Sequence, residues 1–234
     1  MAAMDSGQAT IVVTGSARGG TSFVASVLGN LGIEMGRGAP RYENPWLQKA
    51  FTAGDMRAVG LYVDCLNAQW PVWGWKLPAL SDRLSEIDAI LRRPRYILVF
   101  RDPVATTTHK LTKSIQNADE RRIIRQVLRE SQRMMRMIDF VGLTRSPVLM
   151  LSHEKAVSDP AATVSLVAKF CGSPATDLDG IVAAVGRDSR SYSDAGSVQS
   201  HKPSAWGPMD HALWAVAEEH GLPLASRRGH PKAQ

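Results

Sequence analysis

The run Gly15-Ser-Ala-Arg-Gly-Gly-Thr-Ser22 follows a short apolar stretch, Thr10–Thr14, and leads into a helical pattern. It matches the phosphate-binding pattern G-x-x-x-x-G-K-[ST] with two differences: Thr21 stands where the lysine belongs, and Arg18 sits inside the loop. A strand, a glycine turn and a helix start together form an anion site, because free backbone N–H groups and the helix dipole point into the loop. Gly19 and Gly20 let backbone amides approach an anion closely. Thr21 and Ser22 add hydroxyl donors, and Arg18 adds a fixed charge with a forked donor face. Lacking the lysine, the loop has no group to reach the outer phosphates of a triphosphate. That argues against magnesium-dependent ATP or GTP hydrolysis and for a smaller terminal anion bridged to one phosphate.

Three other polar groups fall where chemistry is expected. Arg101 ends the apolar run Tyr96–Phe100 and precedes Asp102-Pro103, so its charge projects from the end of a buried strand. A salt bridge with Asp102 or a neighbour is the ordinary alternative. Lys76 closes the short run Trp73–Lys76 ahead of a proline, with apolar flanks unusual for a surface lysine. Glu43 lies in PRYENPW, shortly after the first helix, with Glu34 and Asp55 as competing carboxylates.

These stretches resemble the sulfotransferases that use 3′-phosphoadenosine 5′-phosphosulfate. VTGSARGGTSFVASVLGNLG resembles their 5′-phosphosulfate loop, a strand followed by [KR]-[ST]-G-[TS]-[ST] and a helix. RYILVFRDPVATTTHKL resembles their second signature, a strand ending in R-[DN]-P with a hydroxyl residue eight places on. VLMLSHEKAVSDPAATVSLVAKFCG resembles their strand-Y-E-x-[LA]-x-x-D-P-helix segment, and the three stretches stand in the family's order. The resemblance implies a P-loop-like α/β fold, that donor, and a hydroxyl or amine acceptor. It gives the lysine-less loop a purpose, since sulfuryl transfer needs no metal and offers no γ-phosphate. Gly19, Gly20, Thr21 and Ser22 would hold the 5′-phosphate, with Arg18 near the bridging oxygen.

By the same resemblance Arg101 holds the 3′-phosphate, where a bidentate guanidinium suits the geometry. The hydroxyl place eight residues on is His109, a departure from the family, so either Thr108 substitutes or His109 donates from its ring. WGWKLPAL resembles the K-x-P segment of tyrosyl-protein and many bacterial members, which places Lys76 beside the leaving oxygen as a stabiliser of developing charge. Glu43 resembles the glutamate base of the carbohydrate and tyrosyl-protein branches. The cytosolic branch uses a histidine, for which His109 is the nearest candidate. Ser197 and Lys202, in GSVQSHKPSAW, sit where the family often closes over the cofactor, and a disordered loop is the equal alternative.

The elements that must position these groups are legible as patterns. The apolar runs Thr10–Thr14, Tyr96–Phe100 and Val148–Leu151 read as buried parallel strands, with Trp73–Lys76 as a shorter fourth. Helices are predicted over Ser22–Leu31, Leu80–Leu91, Ala118–Val141, Pro160 to about Phe170, and Pro208–His220. Ala118–Val141 is amphipathic, with Arg122, Arg125, Arg129, Arg133 and Arg136 on one face and Ile124, Leu128, Met135 and Ile138 on the other. The arginines would guide an anionic acceptor or a membrane, or simply form a solvated face. Gly36–Pro45 and Ser189–Pro208 read as loop insertions. Trp46, Trp70, Trp73 and Trp75 would form either a platform for an acceptor ring or part of the core. The alternation predicts an α/β class with a mostly parallel sheet flanked by helices, ligands binding at the carboxyl ends of its strands.

The chain has 234 residues, 44% hydrophobic and 21% charged, with a net charge of +6. That is expected to make one domain over residues 1–234 with a basic, frayed tail at 225–234. The basic balance suits a polyanionic ligand. Two cysteines, Cys65 and Cys171, lie in no metal-like spacing and suit a reducing compartment. No secretory signal or membrane span is read, so a cytoplasmic protein without integral membrane association is expected. The leading reading is in-line transfer of a sulfuryl group to a hydroxyl of a small-molecule, carbohydrate or glycolipid acceptor, with no metal. The alternatives are a P-loop small-molecule phosphotransferase, which would need a magnesium carboxylate and the loop lysine, and a non-enzymatic nucleotide- or nucleic-acid-binding module. No recognised nucleic-acid motif supports the last, and the sequence leaves the oligomeric state open.

Overall fold

The computed structural model describes residues 8–16, 18–35, 42–111, 119–173, 177–194 and 208–222. Among them, β1 (Ala9–Gly15), β2 (Val72–Lys76), β3 (Pro94–Phe100) and β4 (Val148–Ser152) form one sheet in the order β2-β1-β3-β4, every pairing parallel. The fold is therefore α/β with an all-parallel central sheet flanked by helices. The four predicted strands are all present, because each is an apolar run short enough to cross a buried sheet and bounded by turn residues.

The strands alternate their side chains between two apolar layers. Val12, Trp73, Trp75, Tyr96 and Leu98 face one layer, which also receives α2 (Pro45–Ala53), α3 (Met56–Gln69), part of α6 (Glu120–Leu143) and α10 (Pro208–Glu219). Ile11, Val13, Ile97 and Val99 face the other, built with α1 (Thr21–Asn30), α8 (Pro160–Cys171) and α9 (Leu178–Asp194). Both faces of the sheet are thus covered, as the continuous apolar strands require. Chain order reverses around β1, so the loop leaving β1 sits at the switch point where such sheets open a crevice.

Several helices differ from expectation. The predicted helix Leu80–Leu91 is a 3-10 turn, Pro78–Asp82, followed by the five-residue α4 (Leu84–Asp88). Residues 189–194, read as loop, belong to α9, and Pro45 opens α2 rather than closing a loop. The short helices α5 (Pro103–Leu111) and α7 (His153–Ser158) follow β3 and β4 directly.

The orientation of α6 also departs from its simple pattern. Its buried positions are Glu130, Met137 and Phe140, while Ile124, Leu128, Met135 and Ile138 stand exposed. Two of its arginines explain the rotation. Arg133 and Arg136 both bond Asp82, at 2.9 and 2.7 Å, and Arg133 also pairs with buried Glu130 at 3.3 Å. Burial works to raise the Asp82 pKa, but the hydrogen bonds and charges of the two arginines outweigh it and hold the carboxyl below its ordinary value. Those ionic ties point the arginine edge at the turn after β2 and leave the isoleucine–leucine stripe outward.

Candidate functional site

The loop leaves β1 at Gly15, where close packing excludes a side chain: a Cβ there would collide with the Val99 carbonyl oxygen of neighbouring β3. Ser16 is buried, and its carbonyl accepts the Gly19 N–H at 2.7 Å, closing the turn. Arg18 has φ 67°, left-handed backbone that a non-glycine residue adopts at a cost of about 1 kcal/mol. Gly20 has φ 90° and caps α1 without any side-chain hydrogen bond to the helix start. The first amides of α1 thus end in the loop with no side-chain cap.

Thr21 is buried with its methyl group turned towards Gly15. The residue in the lysine position therefore packs the loop against β1. Ser22 is half-buried and Arg18 exposed.

Three neighbouring strand ends converge on the loop. On one side, Lys76 ends β2 level with Val13 of β1. The buried Thr14 hydroxyl donates to the carbonyls of Leu77 and Pro78, at 3.0 and 3.2 Å, and fixes that junction. Lys76 is only 3% exposed, and its Nζ donates to Glu43 Oε1 at 2.6 Å, Glu43 itself being 21% exposed. Glu43 is held from both sides. Tyr42 is buried and lies against Gly29 of α1. Buried Asn44 caps α2, its side-chain oxygen accepting from the Trp46 and Leu47 N–H groups at 3.0 and 3.1 Å. A carboxylate 33 residues distant in sequence is thereby set on a buried ammonium. The competing Asp55 instead caps α3, accepting from Ala58 N–H, and Glu34 takes part in a bridge to Trp73 through its backbone.

On the other side, Arg101 follows β3. Asp102 does not pair with it. Asp102 Oδ1 accepts the Ala105 N–H at 2.6 Å and starts α5, while Arg101 Nη1 donates to the Arg18 carbonyl at 2.5 Å. Arg101 thus braces the left-handed residue of the loop. Thr106 and Thr107 of α5 are buried, and Thr108 is exposed. His109 belongs to the same helix, and its side chain lies outside the described part of the structure, as do Ser197 and Lys202 altogether.

From the start of α7, directly after β4, come two residues that motif reading passed over. The His153 ring lies against Gly20 so closely that a Cβ on the glycine would overlap its Nδ1. Glu154 Oε1 accepts the Asp102 N–H at 3.1 Å and its Oε2 the Ser152 hydroxyl at 3.0 Å, tying the β3 and β4 ends together. Burial works to raise the Glu154 pKa, but these hydrogen bonds and the nearby His153 hold it below its ordinary value. The signal was present in the sequence: His153 and Glu154 occupy the Y-E places of the third quoted stretch.

The tryptophans resolve to packing. Trp46, Trp73 and Trp75 are fully buried, so three of the four platform candidates belong to the core. No group of His, Cys, Asp and Glu side chains that could hold a metal is found among the described residues. No helix among them is long and apolar enough to cross a membrane.

Comparison with known proteins places this arrangement. A sulfotransferase of Mycobacterium tuberculosis H37Rv, STF1, superimposes with a TM-score of 0.52 at 12% identity, covering 91% of this chain and 76% of that one. The sulfotransferase domain from the curacin biosynthetic pathway gives 0.49 at 15% identity, over 93% and 98% of the two chains. At 12% identity the likeness to STF1 speaks to the fold alone. No curated protein matches the sequence significantly. The Sulfotransferase family matches residues 33–177, a stretch that begins just after α1 and takes in β2, β3 and β4 with the residues at their ends. That match spans more than half of the sequence, and this chain belongs to the sulfotransferase family.

Proposed function

We propose that this protein transfers a sulfuryl group from 3′-phosphoadenosine 5′-phosphosulfate to a hydroxyl of a small-molecule, carbohydrate or glycolipid acceptor. The observation that carries the reading is the Lys76–Glu43 pair, 2.6 Å apart, in which the segment before α2 sets Glu43 on the end of the strand beside the phosphate loop. A carboxylate and an ammonium in contact suit a transfer in which the acceptor oxygen sheds a proton and the leaving oxygen gains negative charge. The acceptor oxygen bonds to sulfur as the bond from sulfur to the bridging phosphate oxygen breaks. Glu43 takes the acceptor's proton, and Lys76 stabilises the charge that develops on the leaving oxygen. The products are a sulfate ester and 3′-phosphoadenosine 5′-phosphate.

The residues present fit the donor. The start of α1 has no side-chain cap and suits the 5′-phosphate, with Gly19, Gly20 and Ser22 around it and Arg18 at the rim. Arg101, braced on the Arg18 carbonyl, is the residue for the 3′-phosphate, with Thr108 or His109 as a second contact and Ser197 and Lys202 as closing residues. His153, against Gly20, is assigned to the wall of the same pocket. Both cysteines are free, which supports action in a reducing, cytoplasmic setting.

The test is a paired measurement. 3′-Phosphoadenosine 5′-phosphate should raise the melting temperature, by about 2.7 kcal/mol of stability at one hundred times its dissociation constant, while ATP with magnesium should not. Labelled donor offered with an acceptor panel should then yield labelled sulfate ester. A shift with ATP–magnesium alone, and no transfer of label, would replace this reading with a phosphotransferase.

A further inference from the structure

Helix α6 carries two apolar faces. Met137 and Phe140 are buried in the core, and Met134 and Val141 pack against it. Among the described residues nothing covers the second face: Ile124, Leu128, Met135 and Ile138 are 52%, 56%, 62% and 54% exposed. With Ser131 and Gly142 these residues recur at alternating steps of four and three. That is the seam of a two-helix coiled coil, here about 27 Å long. Isolated exposed apolar residues are ordinary, but a continuous stripe in register along one helix is the form of an interface.

We propose that a second copy of this chain covers the stripe, its α6 lying antiparallel across a two-fold axis at Gln132. Charge along the seam selects this occupant and this direction. Arg125, Gln132 and Asp139 follow one another every seven residues along one border of the seam. In an antiparallel pair that border faces itself. Arg125 then meets Asp139 of the partner subunit, twice by symmetry, and Gln132 meets its own copy. A parallel pair would set the same border against Glu120, Val127 and Met134, which answers Arg125 but leaves Asp139 facing an apolar side chain, whereas the antiparallel pair satisfies both charges.

The sizes along the seam match as well. The same register sets Leu128 opposite Ile138, small Ser131 opposite Met135, and Ile124 opposite Gly142. Ser131 brings no unsatisfied hydroxyl into the seam, because its Oγ donates to the Val127 carbonyl at 3.0 Å. An isologous two-fold contact of this kind closes on itself and forms a dimer. A bilayer surface would make no use of Asp139 along that border.

The experiment is sedimentation of the full chain, with thermal melts to confirm that each variant folds. The substituted positions face solvent in the single chain, so folding should survive. Wild-type protein should be a dimer. Arg125→Asp, Asp139→Arg and Leu128→Glu should each weaken it by about tenfold or more, and the double reversal Arg125→Asp with Asp139→Arg should recover most of the loss. Oxidised Gln132→Cys should give a disulfide-linked dimer that wild type does not. A wild-type monomer at about 100 µM overturns the proposal, and binding of that monomer to anionic phospholipid vesicles would name a membrane as the occupant. A dimer unaffected by Leu128→Glu, or one that the double reversal fails to restore, overturns the seam or its direction.

Discussion

Glu43→Gln separates the chemical part of Glu43 from its structural part. In the folded chain Glu43 Oε1 accepts a hydrogen bond from the buried Lys76 Nζ at 2.6 Å. Glutamine keeps the shape and an acceptor oxygen but loses the negative charge. Hydrogen bonds to charged groups contribute about 1.5–3 kcal/mol; Lys76 keeps its charge, so the amide moves the bond from the upper to the lower part of that range and the change should cost about 1–1.5 kcal/mol of stability. For a chain of this size that lowers the melting temperature by roughly 2–6 °C. Glu43→Ala removes the acceptor as well and leaves the buried ammonium without its carboxylate, so its loss should approach 3 kcal/mol, somewhat below that of a fully enclosed pair because Glu43 keeps some contact with water. Turnover should behave differently. Without a proton acceptor, Glu43→Gln should lose about 10²-fold in sulfuryl transfer, while donor affinity stays close to wild type, because Glu43 is assigned to the acceptor side. The assays are differential scanning fluorimetry, titration with 3′-phosphoadenosine 5′-phosphate, and transfer of labelled sulfate to an acceptor. Near-normal turnover in a Glu43→Gln protein that shows the expected small melting shift would refute the base assignment and leave the pair a purely structural contact. Loss of activity in His109→Ala beside an active Glu43→Gln would move the base to the histidine.

Arg101→Ala should weaken 3′-phosphoadenosine 5′-phosphate by roughly 2–4 kcal/mol through the lost phosphate contact. Adenosine 5′-phosphosulfate, without the 3′-phosphate, should lose only the smaller share that comes from the Arg18 carbonyl brace; equal losses by calorimetry would show that Arg101 acts on the loop alone. Gly20→Ala should both strain a backbone at φ 90° and press on the His153 ring, weakening nucleotide binding. Adding His153→Ala should recover part of that loss but not the strain of roughly 1–2 kcal/mol, and an unchanged dissociation constant in Gly20→Ala would detach the loop from the ligand. Burial, with the Asp55 charge added, pushes the Tyr62 hydroxyl from 10.0 up to about 12. The neutral phenol is thus favoured in the fold, a contribution complete below pH 10 and lost as pH rises through about 12. Tyr62→Phe should flatten the fall of stability over that window in urea titrations, and an identical slope would assign alkaline unfolding to other groups.

What the sequence determined by itself was local. Thr10–Thr14 followed by Gly15, Gly19 and Gly20 states a strand, a turn that demands missing side chains, and a helix start, so the geometry of the loop was legible in the sequence. Arg101 and Lys76 were legible for the same reason, each a charge ending an apolar run. Tertiary structure decided what depends on register and crossover. It set Glu43 on Lys76, because the segment before α2 must fold back over the end of β2, and no periodic pattern carries a contact across 33 positions. It laid His153 against Gly20 and Glu154 on the Asp102 N–H, contacts that exist only once β4 lies beside β3. It buried Trp46, Trp73 and Trp75, whose composition alone allowed a binding platform as readily as a core. The clearest case is α6. Its pattern shows that one face is apolar, but which face meets the core was settled by Asp82, on a different element, holding Arg133 and Arg136 at the turn after β2. An amphipathic period fixes the angle between two faces of a helix; only the partners around it fix which way they point.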